Sequence, residues 1–235
     1  MDILIQKVLN TEPNSSDMLK KQGRIYTFLN PVSYLDALRQ KELFSKYDGI
    51  FADGSLLVAA IKILYGERVA RRSFDMTSVA PELFEYAQKA GKSIYIVASR
   101  QEQVEKAVSV FCSRYPGLNI IGCRNGYFNS EEEQETEAKH IVEINPDFLI
   151  VGMGAIMQEK FLLRVKKAGF TGIGFTCGGF IHQTSKDQID YYPGWVDRLN
   201  LRFLYRMFEE PHTRIRYLKA GMTFPVRFIL ERFFE

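Results

Sequence analysis

The sequence predicts an α/β fold with a mainly parallel sheet and helices on both of its faces. Six short apolar segments have the length and composition of buried strands, and helical patterns of about 10 to 15 residues separate most of them. The predicted strands are 24–29, 50–52, 93–98, 118–123, 147–151 and 171–175. Because strands that alternate with helices are joined by right-handed crossovers, these strands are expected to lie parallel in one sheet.

Composition places the chain among folded globular proteins. Of its 235 residues, 46% are hydrophobic and 25% are charged, which is far from the composition of a disordered chain. The net charge is +3, but the segment from Arg198 to the end carries +4 and the remainder −1. A basic tail rich in aromatic residues favours an anionic ligand or a membrane surface, and no nucleic-acid partner is expected.

The cysteine pattern and the lack of a visible signal peptide indicate the compartment in which the protein is expected. The three cysteines, Cys112, Cys123 and Cys177, are widely spaced and form no metal-ligand or C-x-x-C pattern, so a reduced, cytoplasmic compartment fits best. No signal peptide is visible, and no segment approaches the roughly 18 consecutive apolar residues of a membrane span. Contact with a membrane is therefore expected to be peripheral.

Asn30 and Asp53 directly follow the first two predicted strands. In an open α/β sheet, this carboxyl edge is where ligands bind. Asn30 can cap the helix that follows it, and Asp53 can cap its own helix or turn. Position alone leaves Asp53 balanced between a cap and a functional acid.

Apolar periodicity and capping residues predict the helices of the body. They are expected at about 32–43, 56–64, 77–90, 101–113 and 131–143. Residues 1–22 are expected to be a weakly ordered lead-in, and the polar connection 66–75 carries Arg68, Arg71 and Arg72.

The segment Gly152-Met-Gly154 follows the fifth strand and opens a further helix. Glycines at such a point let backbone N–H groups approach a phosphate at the helix N-terminus. The third glycine and the downstream acid of a dinucleotide fingerprint are missing, which argues against a nicotinamide enzyme. Gln158 and Glu159 fall in the first turn, where they either hydrogen-bond a sugar or, for Glu159 especially, favour the helix dipole.

Residues 194–235 are predicted to form a basic helical appendage to a body of residues 1–193. One helix is expected over about 195–208, a second after Pro211, and a last one from about Phe224. In the last helix four apolar residues share one face, opposite Arg227, Glu231 and Arg232: Val226, Ile229, Leu230 and Phe233. This stripe either packs on the body or on another subunit, which leaves a homo-oligomer open, or lies in a membrane interface.

No paired metal ligands are visible, because the chain has no D-x-D pair and its three histidines are scattered. Neither a metal nor a cofactor is expected. The arginines of the tail are an alternative source of positive charge, since guanidinium groups suit phosphate oxygens. They include Arg202, Arg206, Arg214 and Arg216. Taken singly, each of these arginines is better explained as one residue of a solvent-exposed helix face than as a phosphate ligand.

Together these segments resemble the WecG/TagA/CpsF glycosyltransferase family, over roughly residues 24–218. As an ordered set they are specific, although each alone is weak. In chain order the resemblance rests on Asn30, Ala52-Asp53-Gly54, Glu67-Arg68-Val69, Gly126-Tyr127, Val151–Glu159, Gly178-Gly179, Leu204-Tyr205-Arg206, Glu210-Pro211 and Arg216-Tyr217-Leu218.

The resemblance implies a Rossmann-like body and an appendage that completes the site at the inner face of the cytoplasmic membrane. It implies that a hexose, N-acetylhexosamine or uronic acid is transferred from a UDP-sugar to an undecaprenyl-diphosphate-linked saccharide, with inversion and without a metal, in polysaccharide or wall-polymer synthesis. Asp53 matches the family's proposed base. The positions expected to bind substrate are Asn30, Arg68, Arg71, Arg72, Gly152, Gly154, Gln158, Glu159, Arg206, Arg214 and Arg216.

Three positions depart from the family pattern. Ile156 stands where the family often has proline, in its G-x-G-x-P-x-Q-E segment. Phe28 occupies the place of a threonine, so a hydroxyl contact there is lost or moved to Thr27. The E-R-V segment follows Asp53 three residues sooner than is usual, which leaves open which arginine of the 66–75 connection faces a diphosphate.

We therefore hypothesise that Asp53 takes the proton of an acceptor hydroxyl while that oxygen attacks the anomeric carbon and UDP leaves. Arginines would stabilise the departing diphosphate. The alternative is a non-catalytic, membrane-peripheral component of a polysaccharide assembly complex, with the same fold and tail.

Overall fold

The computed structural model describes residues 2–11, 15–186, 196 and 201–234. Six parallel strands form one sheet: β1 (Ile25–Leu29), β2 (Gly49–Ala52), β3 (Ser93–Ala98), β4 (Asn119–Arg124), β5 (Phe148–Gly152) and β6 (Ile173–Thr176). Their order is β2-β1-β6-β5-β3-β4. Every strand lies within two residues of its predicted position, and the Rossmann-like α/β fold is confirmed.

Register brings the ends of the strands to one level. Leu29 of β1 pairs with Ala52 of β2, so the residues that follow them, Asn30 and Asp53, leave the sheet side by side. On the other half, β3 and β5 end together because Ala98 pairs with Gly152. All residues of β2, β5 and β6 are buried, as expected for parallel strands covered on both faces.

Helices cover both faces of this sheet. They are α1 (Ile3–Asn10), α2 (Ser15–Met18), α3 (Pro31–Ala37), α4 (Lys41–Ser45), α5 (Ser55–Tyr65), α6 (Val79–Ala90), α7 (Gln101–Arg114), α8 (Glu131–Ile144), α9 (Met157–Lys167), α10 (Phe180–Thr184), α11 (Arg202–Glu209) and α12 (Arg214–Phe234). A 3₁₀ turn, Leu38–Gln40, divides the helix predicted over 32–43 into α3 and α4.

The expectation of a weakly ordered lead-in is wrong for α1. Leu4, Ile5 and Val8 of this helix are buried in the core. Asp2 caps it by accepting the Leu4 N–H at 3.2 Å, and the Tyr34 hydroxyl donates to the same carboxylate at 2.6 Å. The apolar spacing of α1 is helical, whereas the polar residues that follow it are typical of a weakly ordered segment.

The tail ends in one helix rather than in two. We expected a break before Phe224, but α12 runs unbroken with Pro225 inside it. Proline removes one helical hydrogen bond, and packing offsets that loss. The rings of Phe224 and Phe228 meet Tyr34 of α3 at centroid distances of 5.6 and 5.2 Å.

The apolar stripe of α12 faces away from the body. Its four residues are all exposed: Val226, Ile229, Leu230 and Phe233. Glu231, on the side predicted to be polar, is instead buried and pairs with Lys41 at 2.6 Å. Packing of the stripe on the body, one of our expectations, is therefore wrong, because the aromatic pair Phe224 and Phe228 supplies a second apolar face that does this.

Two predictions for the tail concern residues that lie partly outside the described ranges. The helix predicted over about 195–208 overlaps α11, but most of its first half and the boundary placed at 193/194 lie outside the described residues. None of the helices in the described ranges, α12 included, is long and apolar enough to cross a bilayer.

Candidate active site

A cavity of about 640 Å³ lies at the carboxyl ends of the strands. Its walls come from the residue after β1, from the ends of β3 and β5, and from the turn after β6, and α3, α11 and α12 close it from the side. This edge is where open α/β sheets bind their ligands. The lining includes six of the predicted site residues: Asn30, Gly152, Gly154, Gln158, Arg206 and Arg216.

Asn30 and Asp53 are neighbours at the ends of β1 and β2. The Asn30 side chain caps α3, accepting the N–H groups of Val32 and Ser33 at 3.0 and 3.1 Å. The Asp53 N–H donates to the Leu29 carbonyl at 2.7 Å, which ties the two strand ends together. Among the residues described, Asn30 lines the cavity and Asp53 lies beside it rather than in its wall.

The three arginines after α5 do not line this cavity. Arg68 is exposed. Arg71 forms an isolated parallel bridge with Ala52, and its Nη2 lies 3.4 Å from the Thr77 hydroxyl. Arg72 pairs with Glu82 through both terminal nitrogens, at 3.0 and 2.5 Å. Arg72 is thus held in a structural ion pair, whereas Arg68 is exposed and Arg71 is partly exposed.

The turn after β5 passes very close to the turn after β6. A Cβ on Gly152 would lie 2.7 Å from the Cys177 sulfur and 3.0 Å from the Gly178 carbonyl, so only glycine fits. Gly154 has φ of +81°, a conformation that glycine adopts without cost. These two glycines let the backbone itself form the floor of the cavity.

Gln158 joins the same two turns through its side chain. Its Oε1 accepts the Gly178 N–H at 3.0 Å, and its Nε2 donates to Glu159 at 2.8 Å. Glu159 lies in the core and not in the cavity wall: it is 2% exposed. Burial raises the pKa of Glu159 above its usual range, against the opposing effect of hydrogen bonds from Gln158, Thr27 and Ile156.

Two of the tail arginines reach the cavity. Arg206 lies against the turn after β6, since a Cβ on Gly179 would come within 2.8 Å of its Nη2, and its Nε lies 3.4 Å from Glu210. Arg216, in the first turn of α12, is exposed and also lines the cavity. Arg214 instead donates to the Met207 carbonyl at 2.8 Å, outside the cavity lining. The side chain of Arg202 is outside the described part of the chain.

The cavity therefore combines backbone N–H groups at the start of α9 with two guanidinium groups from the tail. Both kinds of group bind phosphate oxygens well. Within the described ranges, no three His, Cys, Asp or Glu side chains are grouped so that they could hold a metal ion.

Comparison with known proteins identifies the family. The model of the glycosyl transferase WecG/TagA/CpsF family matches residues 10–235. The chain belongs to this family. A β-1,4-galactosyltransferase of Shigella boydii, named for UDP-Gal and α-D-GlcNAc-diphosphoundecaprenol, is 32% identical over 97% of this chain and 96% of its own.

A second relative comes from Bacillus subtilis. It is an N-acetylglucosaminyldiphosphoundecaprenol N-acetyl-β-D-mannosaminyltransferase, and it is 28% identical over 82% of this chain and 74% of its own. The two relatives transfer different sugars according to their names, so family membership alone does not select a donor.

The departures from the family pattern have structural consequences. Ile156, which replaces the frequent proline, has φ of +72°, a strained value for a β-branched residue. Its N–H, which proline would lack, donates to Glu159 at 2.6 Å. The Thr27 hydroxyl is buried and donates to Glu159 at 2.9 Å, so it does not replace in the cavity the hydroxyl lost at Phe28.

Sequence reasoning missed several cavity residues. Asp36 lines the cavity from α3, together with Asn30 and Ser33. Their spacing of three residues places them on one face of a helix, and this polar stripe was a usable signal. Ser99 follows β3 and lines the cavity with φ of +53°, and no sequence pattern that we recognise predicts this conformation.

Proposed function

We propose that this chain is an inverting glycosyltransferase that moves a hexose or N-acetylhexosamine from a UDP-sugar to an undecaprenyl-diphosphate-linked saccharide. Family membership and the names of two relatives support transfer of a hexose to such an acceptor. The observation that carries the proposal is the cavity that Arg206 and Arg216 line together with the glycine turn and the start of α9.

The diphosphate of the donor fits this arrangement. Backbone N–H groups around Gly154 carry the positive end of the α9 dipole. Arg206, which also pairs with Glu210, and Arg216 add two guanidinium groups to the lining of the same cavity, and guanidinium forks match phosphate oxygens. In the proposed reaction these groups stabilise the negative charge that develops on UDP as it leaves.

Asp53 is the proposed base. It takes the proton of the acceptor hydroxyl, that oxygen forms a bond to the anomeric carbon, and the bond from that carbon to the diphosphate oxygen breaks with its electrons going to UDP. Asp53 lies next to Asn30, which lines the cavity, so a sugar held over the strand ends lies between the base and the diphosphate. General-base help of this kind contributes about 10² to 10⁴ in rate.

Inversion is supported by the stereochemistry in the relatives' names. Both are named for β-linked products, and the common UDP-hexoses carry the sugar in the α configuration. A β product from an α donor requires an odd number of displacements, and one carboxylate suffices for a single one.

A membrane-facing surface is the second part of the proposal. Three further exposed apolar residues, Ile215, Leu218 and Met222, extend the apolar stripe towards the start of α12. Two exposed apolar residues of α5, Leu56 and Ile63, add to the exposed apolar surface, and α5 packs on α12. With basic residues on the same helix, such a stripe suits an anionic lipid surface, which is where a lipid-linked acceptor is found.

The test is transfer itself. Purified protein is incubated with a panel of UDP-sugars and a lipid-diphosphate acceptor, and acceptor-dependent UDP release is measured. Release well above background is expected with at least one donor, and the Asp53→Asn variant should lose about 10² to 10⁴ in rate while it still binds UDP. Release at background level with every donor would favour the non-catalytic alternative, and near-normal turnover by the variant would exclude Asp53 as the base.

A further inference from the structure

The buried carboxyl group of Glu159 is engaged entirely by hydrogen-bond donors. Thr27 Oγ1 and Gln158 Nε2 donate to its Oε1 at 2.9 and 2.8 Å, and the Ile156 N–H donates to its Oε2 at 2.6 Å. No lysine, arginine or histidine of the described residues forms an ion pair with it. A carboxyl group this deep in a core is costly, which raises the question of what it does there.

Two of its three donors belong to the cavity. Gln158 lines the cavity wall, and Ile156 lies in the turn between Gly154 and Met157, both of which line it as well. The third donor, Thr27, faces the core and pairs with Thr176 at 2.8 Å. Glu159 is therefore the point at which the wall of the cavity is attached to the sheet.

The hydrogen bonds of Gln158 leave its amide only one orientation. A backbone N–H can only donate, so the atom facing Gly178 must be Oε1, and the NH₂ group must then face Glu159. One amide hydrogen is used by Glu159, and no described residue accepts the other. The Gly178–Gly179 turn that Gln158 holds is the same turn against which Arg206 lies.

We infer that Glu159 is a positioning residue, which fixes the Gln158 amide and the Gly154–Met157 turn so that both present N–H donors to the diphosphate of the nucleotide sugar. The inference rests on the proposed function and deepens it. Glu159 does not touch the ligand, contrary to the expectation that it binds substrate. Gln158, which holds the turn against which Arg206 lies, does.

Glutamine at position 159 would break this arrangement whichever way its amide points. Three donors converge on Glu159, and an amide offers an acceptor on only one side. If its oxygen faces Gln158, its NH₂ group opposes the Ile156 N–H; if it is turned, its NH₂ group opposes that of Gln158. Thr27 is compatible with either orientation of the amide, because a hydroxyl can donate or accept. Where Thr27 has to accept from the NH₂ group, it can donate its own hydrogen to the Thr176 hydroxyl instead.

The experiment is a double-mutant cycle on UDP affinity, measured by isothermal titration calorimetry on the full chain. Glu159→Gln and Gln158→Ala should each weaken UDP binding by about tenfold, the effect of one lost hydrogen bond to a charged group. The double variant should lose less affinity than the sum of the two single losses, because the part of the Glu159→Gln effect that acts through Gln158 is already absent in Gln158→Ala. Additive losses in the double variant, or unchanged affinity in Glu159→Gln, would overturn the inference.

Thr27→Val is the matched control. It removes a donor to the same carboxyl oxygen but leaves the bonds of Gln158 and Ile156 in place. It should lower the melting temperature while UDP affinity stays within about twofold of wild type. Equal weakening of UDP binding by Thr27→Val and Glu159→Gln would make the role of Glu159 merely structural and overturn the inference.

A second measurement does not require Glu159→Gln, in case that variant does not fold. The side-chain NH₂ resonances of Gln158, assigned from their loss in Gln158→Ala, should shift when UDP is added, and an unchanged signal at saturation would overturn the inference. Failure of the wild type to bind UDP at all would overturn the proposed function, and the positioning role with it. Binding with additive losses would overturn the positioning role alone.

Discussion

Phe228 and Phe233 lie on opposite faces of α12 and provide a matched pair of substitutions. Phe228 is 1% exposed, with ring centroids 5.2 Å from Tyr34, 5.8 Å from Tyr65 and 5.1 Å from Phe224. Phe233 is 66% exposed. The same change, Phe to Ala, should therefore have different effects on stability and on membrane binding.

Truncating the buried ring leaves a cavity between three aromatic neighbours. Such a change costs about 3–5 kcal/mol, which for a domain of this size lowers the melting temperature by roughly 2–4 °C per kcal/mol. Phe233→Ala should stay within about 0.5 kcal/mol of wild type. An aromatic side chain offers about 200 Å² of surface, and 66% of that of Phe233 is exposed. Burying this exposed area in a lipid interface contributes at most about 3 kcal/mol to the free energy of binding, which corresponds to about 100-fold in affinity.

Urea denaturation and co-sedimentation with vesicles that contain anionic lipid measure the two effects. Phe228→Ala should lose stability, and Phe233→Ala should lose vesicle binding by tenfold or more while its stability is unchanged. Wild-type stability in Phe228→Ala would refute the packing of α12 on α3. Wild-type vesicle binding in Phe233→Ala would refute the membrane-facing role of the stripe and favour its burial in an oligomer.

Three further outcomes follow from the site. Gly152→Ala should lower stability by about 1–3 kcal/mol and impair transfer, because a Cβ would lie 2.7 Å from the Cys177 sulfur; normal stability in urea would contradict this. Because burial raises the pKa of Glu159, the folded state holds its proton more tightly than the unfolded state. The stability of wild type relative to Glu159→Gln should then fall as pH rises from about 4 towards 7, and a difference that stays constant in urea titrations would contradict it. Replacing the exposed Val226 and Ile229 by serine should weaken vesicle binding while Phe224 and Phe228 still pack on α3, and unchanged co-sedimentation would argue against the stripe as the lipid contact.

The strands were predictable because buried parallel strands are short, apolar runs bounded by polar turns. The faces of α12 were not. Its sequence carries two apolar sets, and the pattern of Val226, Ile229 and Phe233 alone gave no reason to prefer Phe224 and Phe228 as the packed face. Only the position of Tyr34 on the neighbouring α3 decides between them.

The candidate site was predictable to the extent that strand ends share an edge. Asn30 and Gly152 were expected there and do line one cavity. The burial of Glu159 was not predictable, since its place in the first turn of α9 suits a dipole interaction or a ligand equally well. Its real partners, Thr27 and Ile156, are set by the packing of α9 against β1 and by the turn before α9.

We propose that the chain transfers one sugar, with inversion, to a lipid-linked diphosphate saccharide. The most direct measurement is the structure of the lipid product formed from the active UDP-sugar. Mass spectrometry should show the acceptor heavier by one hexose or N-acetylhexosamine residue, and NMR should show that residue β-linked. An unchanged acceptor with every donor, or an α-linked product from an α-configured UDP-sugar, would contradict the account.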